Sequence, residues 1–83
     1  MRLFIYLILT LSLLFSTVSQ AGFAEGLAAA NKGDFKTAYK EWKPLADQGN
    51  AGAQGNLGYM YANGYGVLKD DKQAVAWYRK AAE

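Results

Sequence analysis

Apolar residues recur along most of the chain with the spacing of an amphipathic helix. They stand three, four, seven and eight positions apart, which places them on one face of a helix. Three sets of positions carry this pattern: Phe35, Ala38, Tyr39, Trp42, Leu45 and Ala46; Ala53, Leu57, Met60 and Tyr61; and Ala74, Trp77, Tyr78, Ala81 and Ala82. With the alanine-rich stretch that precedes them, these sets predict four helices, at about residues 23–31, 34–47, 51–63 and 71–82.

The ends of the predicted helices are marked by residues that commonly cap helices. Asp34, Asn50 and Asp70 are N-cap residue types, and Asp70 followed by Gln73 is a capping-box pattern. Pro44 lies one turn before the end of its helix and is expected to kink or tighten that turn. Three segments predict helix ends: Asn31-Lys32-Gly33, Gln48-Gly49 and Asn63-Gly64.

The chain contains an internal repeat. "GDFKTAYKEWKPLAD" from residue 33 aligns with "KDDKQAVAWYRKAAE" from residue 69 at an offset of 36, and "LAAAN" from residue 27 aligns with "YMYAN" from residue 59 at an offset of 32. The second unit therefore has four extra residues, near "YGVL" at residues 65–68. Two tandem helical hairpins are predicted, with a longer loop in the second.

Glycines and aromatic residues are expected to serve mainly in packing. Large rings filling space against alanine and glycine predict core positions for Trp42, Trp77, Tyr61 and Tyr78. The glycines at 52, 55 and 58 cost helix stability, and close approach of neighbouring helices is the expected compensation. "GYG" at residues 64–66 follows no predicted strand, which favours a turn over a phosphate-binding loop.

The first 21 residues have the layout of a secretory signal peptide. Arg2 precedes an apolar run over residues 3–15, and the small-x-small segment Ser19-Gln20-Ala21 predicts cleavage between Ala21 and Gly22. The alternative is a retained membrane anchor, although a spanning helix needs about 20 apolar residues. No cysteine follows the run, so a lipid anchor is not expected. The predicted location is periplasmic or secreted, with no membrane association after cleavage.

Charge and composition narrow the function classes. The chain of 83 residues has a net charge of +2 with the two signs interspersed, so it lacks the basic stripe of a nucleic-acid binder. It has neither cysteine nor histidine, which removes the thiol nucleophile and the commonest general base and metal ligand. Thr37 is the one Ser/Thr hydroxyl after residue 21, and adjacent Asp70 and Asp71 do not converge on a helix. No catalytic, cofactor-binding or metal site is predicted.

Residues 48–83, "QGNAGAQGNLGYMYANGYGVLKDDKQAVAWYRKAAE", resemble a Sel-1-like repeat, a relative of the tetratricopeptide repeat. The matching segments are Ala53-Gln54, Leu57-Gly58, Met60-Tyr61, Gly64-Tyr65-Gly66-Val67, Asp70, Ala74, Trp77-Tyr78 and Lys80-Ala81-Ala82. "AYKEWKPLADQGN" at residues 38–50 resembles the half-unit that often precedes a first full repeat. Residues 22–47 form a first, atypical hairpin that lacks the glycine loop.

This resemblance implies an all-α fold of tandem antiparallel hairpins, an α-solenoid that acts as a scaffold or adaptor for protein–protein contact. The resemblance also implies that the protein catalyses no reaction of its own. Some cysteine-rich relatives are linked to β-lactam hydrolysis, so a small secreted hydrolase is the alternative, although their disulfide cysteines are missing here. A membrane-anchored scaffold is the alternative if the signal is retained.

Two surfaces are candidates for partners. Asn56, Tyr59 and Asn63 fall on one stripe of the third helix, away from its apolar face, where an aromatic side chain flanked by amides suits protein or peptide recognition. An ordinary solvated face is the alternative. The last hairpin has no polar capping helix, and solenoids usually need three or more repeats. Either further repeats follow in a longer protein, or the hairpin completes its core by self-association or on a partner.

Overall fold

The computed structural model describes residues 22–83, which fold into four helices. The predicted signal peptide, including Ala21 at the expected cleavage point, lies outside the described residues. Within them, the chain is helical over residues 22–31 (α1), Phe35–Asp47 (α2), Ala51–Asn63 (α3) and Asp71–Ala82 (α4), and contains no strand. The all-α prediction is confirmed, and each predicted helix lies within one residue of its observed position.

Side chains cap the three later helices at the predicted positions. A backbone N–H of the first turn donates to each: Thr37 to Asp34 at 3.2 Å, Ala53 to Asn50 at 2.8 Å, and both Lys72 and Gln73 to Asp70 at 3.1 Å. The capping box at Asp70 is only half formed. The Asp70 backbone N–H, which a capping box would pair with the Gln73 side chain, donates instead to the Tyr61 carbonyl at 2.9 Å. This bond joins the start of α4 to the end of α3.

The last turn of α2 is tightened, as Pro44 predicts. The backbone N–H of Gln48 is shared between the carbonyls of Pro44 at 3.1 Å and Leu45 at 3.2 Å. A donor shared between the i−4 and i−3 carbonyls is typical of a helix end that narrows towards 3₁₀ geometry. Asn50 then donates to the Leu45 carbonyl at 3.0 Å, which turns the chain towards α3.

The core lies around α3, which packs against both α2 and α4. Leu57 is fully buried at its centre, and Trp42 of α2 and Trp77 of α4 are 4% and 7% exposed. Among residues 22–83, one polar side chain is buried with them. Gln54 is 7% exposed and donates through Nε2 to the Ala46 carbonyl at 3.0 Å, which satisfies a free carbonyl at the end of α2. This bond fixes α3 against α2.

The two hairpins share one packing device, a glycine of the first helix beneath an aromatic ring of the second. A β-carbon at Gly26 would lie 2.6 Å from Cε2 of Trp42, and one at Gly58 would lie 2.7 Å from Cδ1 of Tyr78. The two glycines are 32 residues apart and the two rings 36, which are the two offsets of the internal repeat. The structure therefore repeats this contact at the offsets that the sequence alignment gives.

Two packing predictions are wrong in part. Tyr78 is expected in the core, yet it remains 43% exposed because it covers Gly58 with one side while the described chain places no following helix over the other. The glycines of α3 are expected to allow neighbouring helix backbones to approach. Instead, the Tyr78 ring packs on Gly58 and the Phe23 ring packs beside Gly52. A β-carbon at Gly55 would have no atom within 4 Å of it.

Candidate partner-binding surface

The loop after α3 folds back onto the start of α2. Gly64 ends α3 with φ of +70°, and its N–H donates to the Met60 carbonyl. Gly66 has φ of +71°, and a β-carbon there would lie 2.6 Å from the backbone carbonyl of Phe35. Any other residue would face both left-handed backbone strain and a clash with a helix backbone. Glycine at 66 therefore lets the loop press directly onto α2.

This close approach assembles a row of three aromatic side chains, Phe35, Tyr65 and Tyr59, here called the aromatic row. The Tyr65 ring stacks on Phe35 with centroids 4.7 Å apart and planes 19° from parallel. The Tyr59 ring is tilted by 57° against Tyr65, with centroids 5.7 Å apart. Exposure increases from the half-buried Phe35 to Tyr65 at 38% and Tyr59 at 54%. The row thus runs from the core to the surface and ends on an open tyrosine.

The predicted partner-binding residues lie beside this row. Tyr59 and Asn63 are exposed, and the Asn63 amide donates to the Tyr59 carbonyl at 2.8 Å, one turn earlier on α3. This bond holds the amide close to Tyr59 and leaves its oxygen available as an acceptor. Asn56 is half-buried, and the Phe23 ring of α1 lies beside Gly52, one turn earlier on α3. The open part of the surface is therefore its C-terminal half.

Sequence reasoning missed Tyr65 and Phe35 as parts of this surface. The sequence pattern places Tyr65 only in a turn, and Phe35 only on the apolar face of α2. The two glycines that flank Tyr65 are a sequence signal for its position, because glycine is favoured where the backbone is left-handed. Both have positive φ in the structure, so Tyr65 lies in the loop outside the helices. Its stacking partner cannot be found from the sequence, since it depends on where the loop meets α2.

The Trp77 ring is flanked by two cations. Lys80 Nζ lies 4.6 Å from its centroid, and Lys43 Nζ of α2 lies 5.7 Å away. Lys43 also forms an ion pair of 2.7 Å with Asp47, one turn later on α2. At partly exposed sites a cation over an indole is worth about 0.5–1 kcal/mol. Because Trp77 is also 7% exposed, its ring offers no open aromatic face to a partner.

Tyr39 of α2 and Tyr61 of α3 form a hydroxyl pair across the hairpins. Their oxygens are 3.0 Å apart, and the rings meet edge to face at 6.1 Å. The hydrogen bond to Tyr39, helped by desolvation, raises the pKa of Tyr61 to about 12. The neutral hydroxyl is thus the form that folding stabilises.

This pair predicts a loss of stability at alkaline pH. Because the pKa of Tyr61 is higher in the folded than in the unfolded chain, its contribution is complete below pH 10 and disappears as pH rises towards 12. Melting temperatures measured across this range should fall more steeply for the natural chain than for Tyr61→Phe. Parallel curves for the two proteins would contradict the assignment.

No metal site and no membrane span occur in the part of the chain that the structure describes. In residues 22–83, no three side chains among His, Cys, Asp and Glu are grouped to hold a metal ion. No helix among these residues is both long and apolar enough to cross a bilayer.

Comparison with known proteins identifies the second hairpin. Residues 51–83 match the family model described as the Sel1 repeat. The matched segment contains α3, the glycine loop with Tyr65, and α4. No curated protein and no solved structure matches the chain.

Proposed function

The chain is a helical-repeat protein with a Sel1 repeat over residues 51–83, and from this premise we propose that it is an exported adaptor that binds a protein or peptide partner. Sel1 repeats generally mediate protein–protein interactions, and proteins built from them are typically non-enzymatic scaffolds. The proposal assigns the partner to the surface around Tyr59 and assigns the chain no chemistry of its own.

The open tyrosine at the end of the aromatic row carries this proposal. Tyr59 exposes more than half of its surface, although it belongs to the helix at the centre of the core. Tyrosine is enriched among residues that dominate binding energy, because a large ring and a hydroxyl are ordered at low entropic cost. Tyr65 and Phe35 support the ring from behind, so less conformational freedom remains to be lost on binding.

The chemistry of Thr37 also favours a binding role over hydrolysis. Thr37 is hydrogen-bonded to Asp34, which accepts the Thr37 backbone N–H at 3.2 Å as a helix cap. Hydrogen bonds from Thr37 hold the pKa of Asp34 below its usual value. A carboxylate with a lowered pKa is a weak base and does not suit activation of a hydroxyl. No observation favours the hydrolase alternative.

Export rests on the signal-peptide pattern of residues 1–21, and the processed N-terminus tests it. Mass spectrometry of the chain recovered from an exporting bacterial host is expected to give a protein that begins at Gly22 in the periplasmic or extracellular fraction. A chain that retains Met1 and stays in the membrane fraction would replace the exported adaptor with the membrane-anchored scaffold.

Substitution at Tyr59 tests the partner surface. Tyr59→Ser should reduce recovery of co-purifying partner from exporting cells by at least about tenfold, the usual effect of removing a dominant interface residue. Tyr59 is not buried, so the melting temperature should change little. Leu68→Ser is the matched control, because Leu68 is 90% exposed and lies outside the aromatic row. Equal recovery with the natural chain and Tyr59→Ser would rule out this surface.

A further inference from the structure

One asparagine of this chain stands directly before a glycine, and it lies on the surface around Tyr59. The chain has four asparagines, and the residues that follow them are Lys32, Ala51, Leu57 and Gly64. Asn63 and Gly64 are both exposed, at the point where α3 ends. Solvent therefore reaches both residues.

An asparagine before a glycine has a characteristic spontaneous reaction. The glycine backbone nitrogen gives up its proton and attacks Cγ of the asparagine, a new C–N bond forms, and the side-chain nitrogen leaves as ammonia. Water then opens the resulting succinimide ring at either of its carbonyls, which leaves aspartate or isoaspartate. Glycine favours the attack because it has no β-carbon to hinder ring closure and its backbone rotates freely. The reaction consumes one water, releases one ammonia and needs no other reactant.

The folded end of α3 holds the two reacting groups apart. The Asn63 amide nitrogen donates to the Tyr59 carbonyl at 2.8 Å, which ties the side chain to the preceding turn. The Gly64 N–H donates to the Met60 carbonyl, so the attacking nitrogen is engaged in the helix cap and keeps its proton. Tyr65 N–H donates to the same carbonyl at 2.9 Å. The last turn of α3 must therefore open before the ring can close.

We propose that Asn63 is a site of spontaneous deamidation that the last turn of α3 protects, and that its conversion loosens the aromatic row. Aspartate at 63 has no N–H to donate, so two oxygens would face each other where the bond to the Tyr59 carbonyl now lies. Its charge would also stand at the C-terminal end of α3, where the helix dipole disfavours an anion. Isoaspartate lengthens the backbone directly before Gly64 and so displaces the cap of the helix.

The aromatic row depends on this helix end. Tyr65 follows Gly64 directly, and its ring lies 4.7 Å from that of Phe35 and 5.7 Å from that of Tyr59, measured between centroids. An opened turn moves Tyr65 relative to both rings. The deamidation and the loosening of the row need no partner, and only a resulting loss of partner binding rests on the proposed function.

Peptide mass spectrometry measures the conversion. The chain, purified in the form that an exporting host leaves it, is kept in warm, mildly alkaline buffer with and without denaturant. In denaturant, Asn63 should be the first asparagine to gain the mass of an amide-to-acid change, as a mixture of aspartate and isoaspartate that chromatography separates. In native buffer the same conversion should be slower by about tenfold or more, because the opened turn is a minor population.

Asn31 is the internal control for this rate. It stands at the end of α1, at the position that the repeat offset of 32 makes equivalent to Asn63, but it precedes lysine. Its conversion should be slower than that of Asn63 in denaturant, where the fold protects neither residue.

Asn63→Asp tests the effect of the product on the fold. It should lower the melting temperature by about 5–10 °C, because a hydrogen bond is lost and an anion is added at a helix end in a small domain. The near-ultraviolet circular dichroism of the fixed tyrosines should weaken with it. Asn31→Asp is the matched control, because it places the same charge at the end of α1, outside the aromatic row. It should leave the near-ultraviolet spectrum unchanged.

Three results would each overturn a part of the proposal. Conversion of Asn31 as fast as that of Asn63 in denaturant would remove the site. Equal rates at Asn63 with and without denaturant would show that α3 does not protect it. An Asn63→Asp chain with the melting temperature and near-ultraviolet spectrum of the natural chain would show that the aromatic row does not depend on this amide.

Discussion

Replacing Trp42 with alanine is expected to lower the free energy of unfolding by about 3–5 kcal/mol. The ring is 4% exposed, lies over Gly26, and donates through Nε1 to the Phe23 carbonyl at 3.2 Å, so it holds α1 to α2. Small domains have only about 5–15 kcal/mol of stability in total. Chemical denaturation followed by circular dichroism should show a greatly reduced midpoint or no folded baseline.

Tyr78→Ala is the matched control for this variant, since Tyr78 occupies the same place in the second hairpin. Its ring covers Gly58 but is 43% exposed, so the loss should be roughly half as large. Equal losses for the two variants would mean that the two rings contribute equally to packing, contrary to their exposure.

Gly66→Ala is expected to cost about 2–4 kcal/mol, from left-handed backbone strain of about 1–2 kcal/mol and a clash with the α2 backbone. The β-carbon would lie 2.6 Å from the Phe35 carbonyl, and a helix backbone cannot yield as a flexible side chain can. The loop should also move away from α2, which would separate Tyr65 from Phe35. Near-ultraviolet circular dichroism, which reports on fixed aromatic rings, should therefore weaken together with thermal stability.

Gly55→Ala is the opposite case among the glycines of this repeat. Gly55 is helical, and no atom lies within 4 Å of the position of a new β-carbon. Alanine should therefore stabilise α3 by roughly 0.5–1 kcal/mol. A destabilised Gly55→Ala, or a Gly66→Ala that melts like the natural chain, would contradict this division of the glycines.

The helices were predictable because their signals are local. Asp34, Asn50 and Asp70 mark helix starts within one turn of the bonds they accept, and the period of the apolar residues needs no knowledge of the tertiary fold. The internal repeat added the order of the hairpins, since residues that align at a fixed offset occupy equivalent positions. These signals were sufficient for the fold class and for all four helices.

The candidate surface was only partly predictable because its contacts are not local. The stripe of Tyr59 and Asn63 follows from the helical period, but the stacking of Tyr65 on Phe35 depends on a loop that meets a helix 30 residues earlier in the chain. The exposure of Tyr78 could not be read from its apolar pattern either. That pattern shows which residues are suited to burial, while actual burial depends on what the next helix covers.

Photo-crosslinking from position 59 in exporting cells tests the central claim, that the chain is an adaptor whose open tyrosine binds a partner. A photoreactive phenylalanine analogue replaces Tyr59 in one protein and Leu68 in a second as the exposed control. The account predicts a discrete covalent adduct with another polypeptide from position 59 and none from position 68. No adduct from position 59, or the same adduct from both positions, would contradict it.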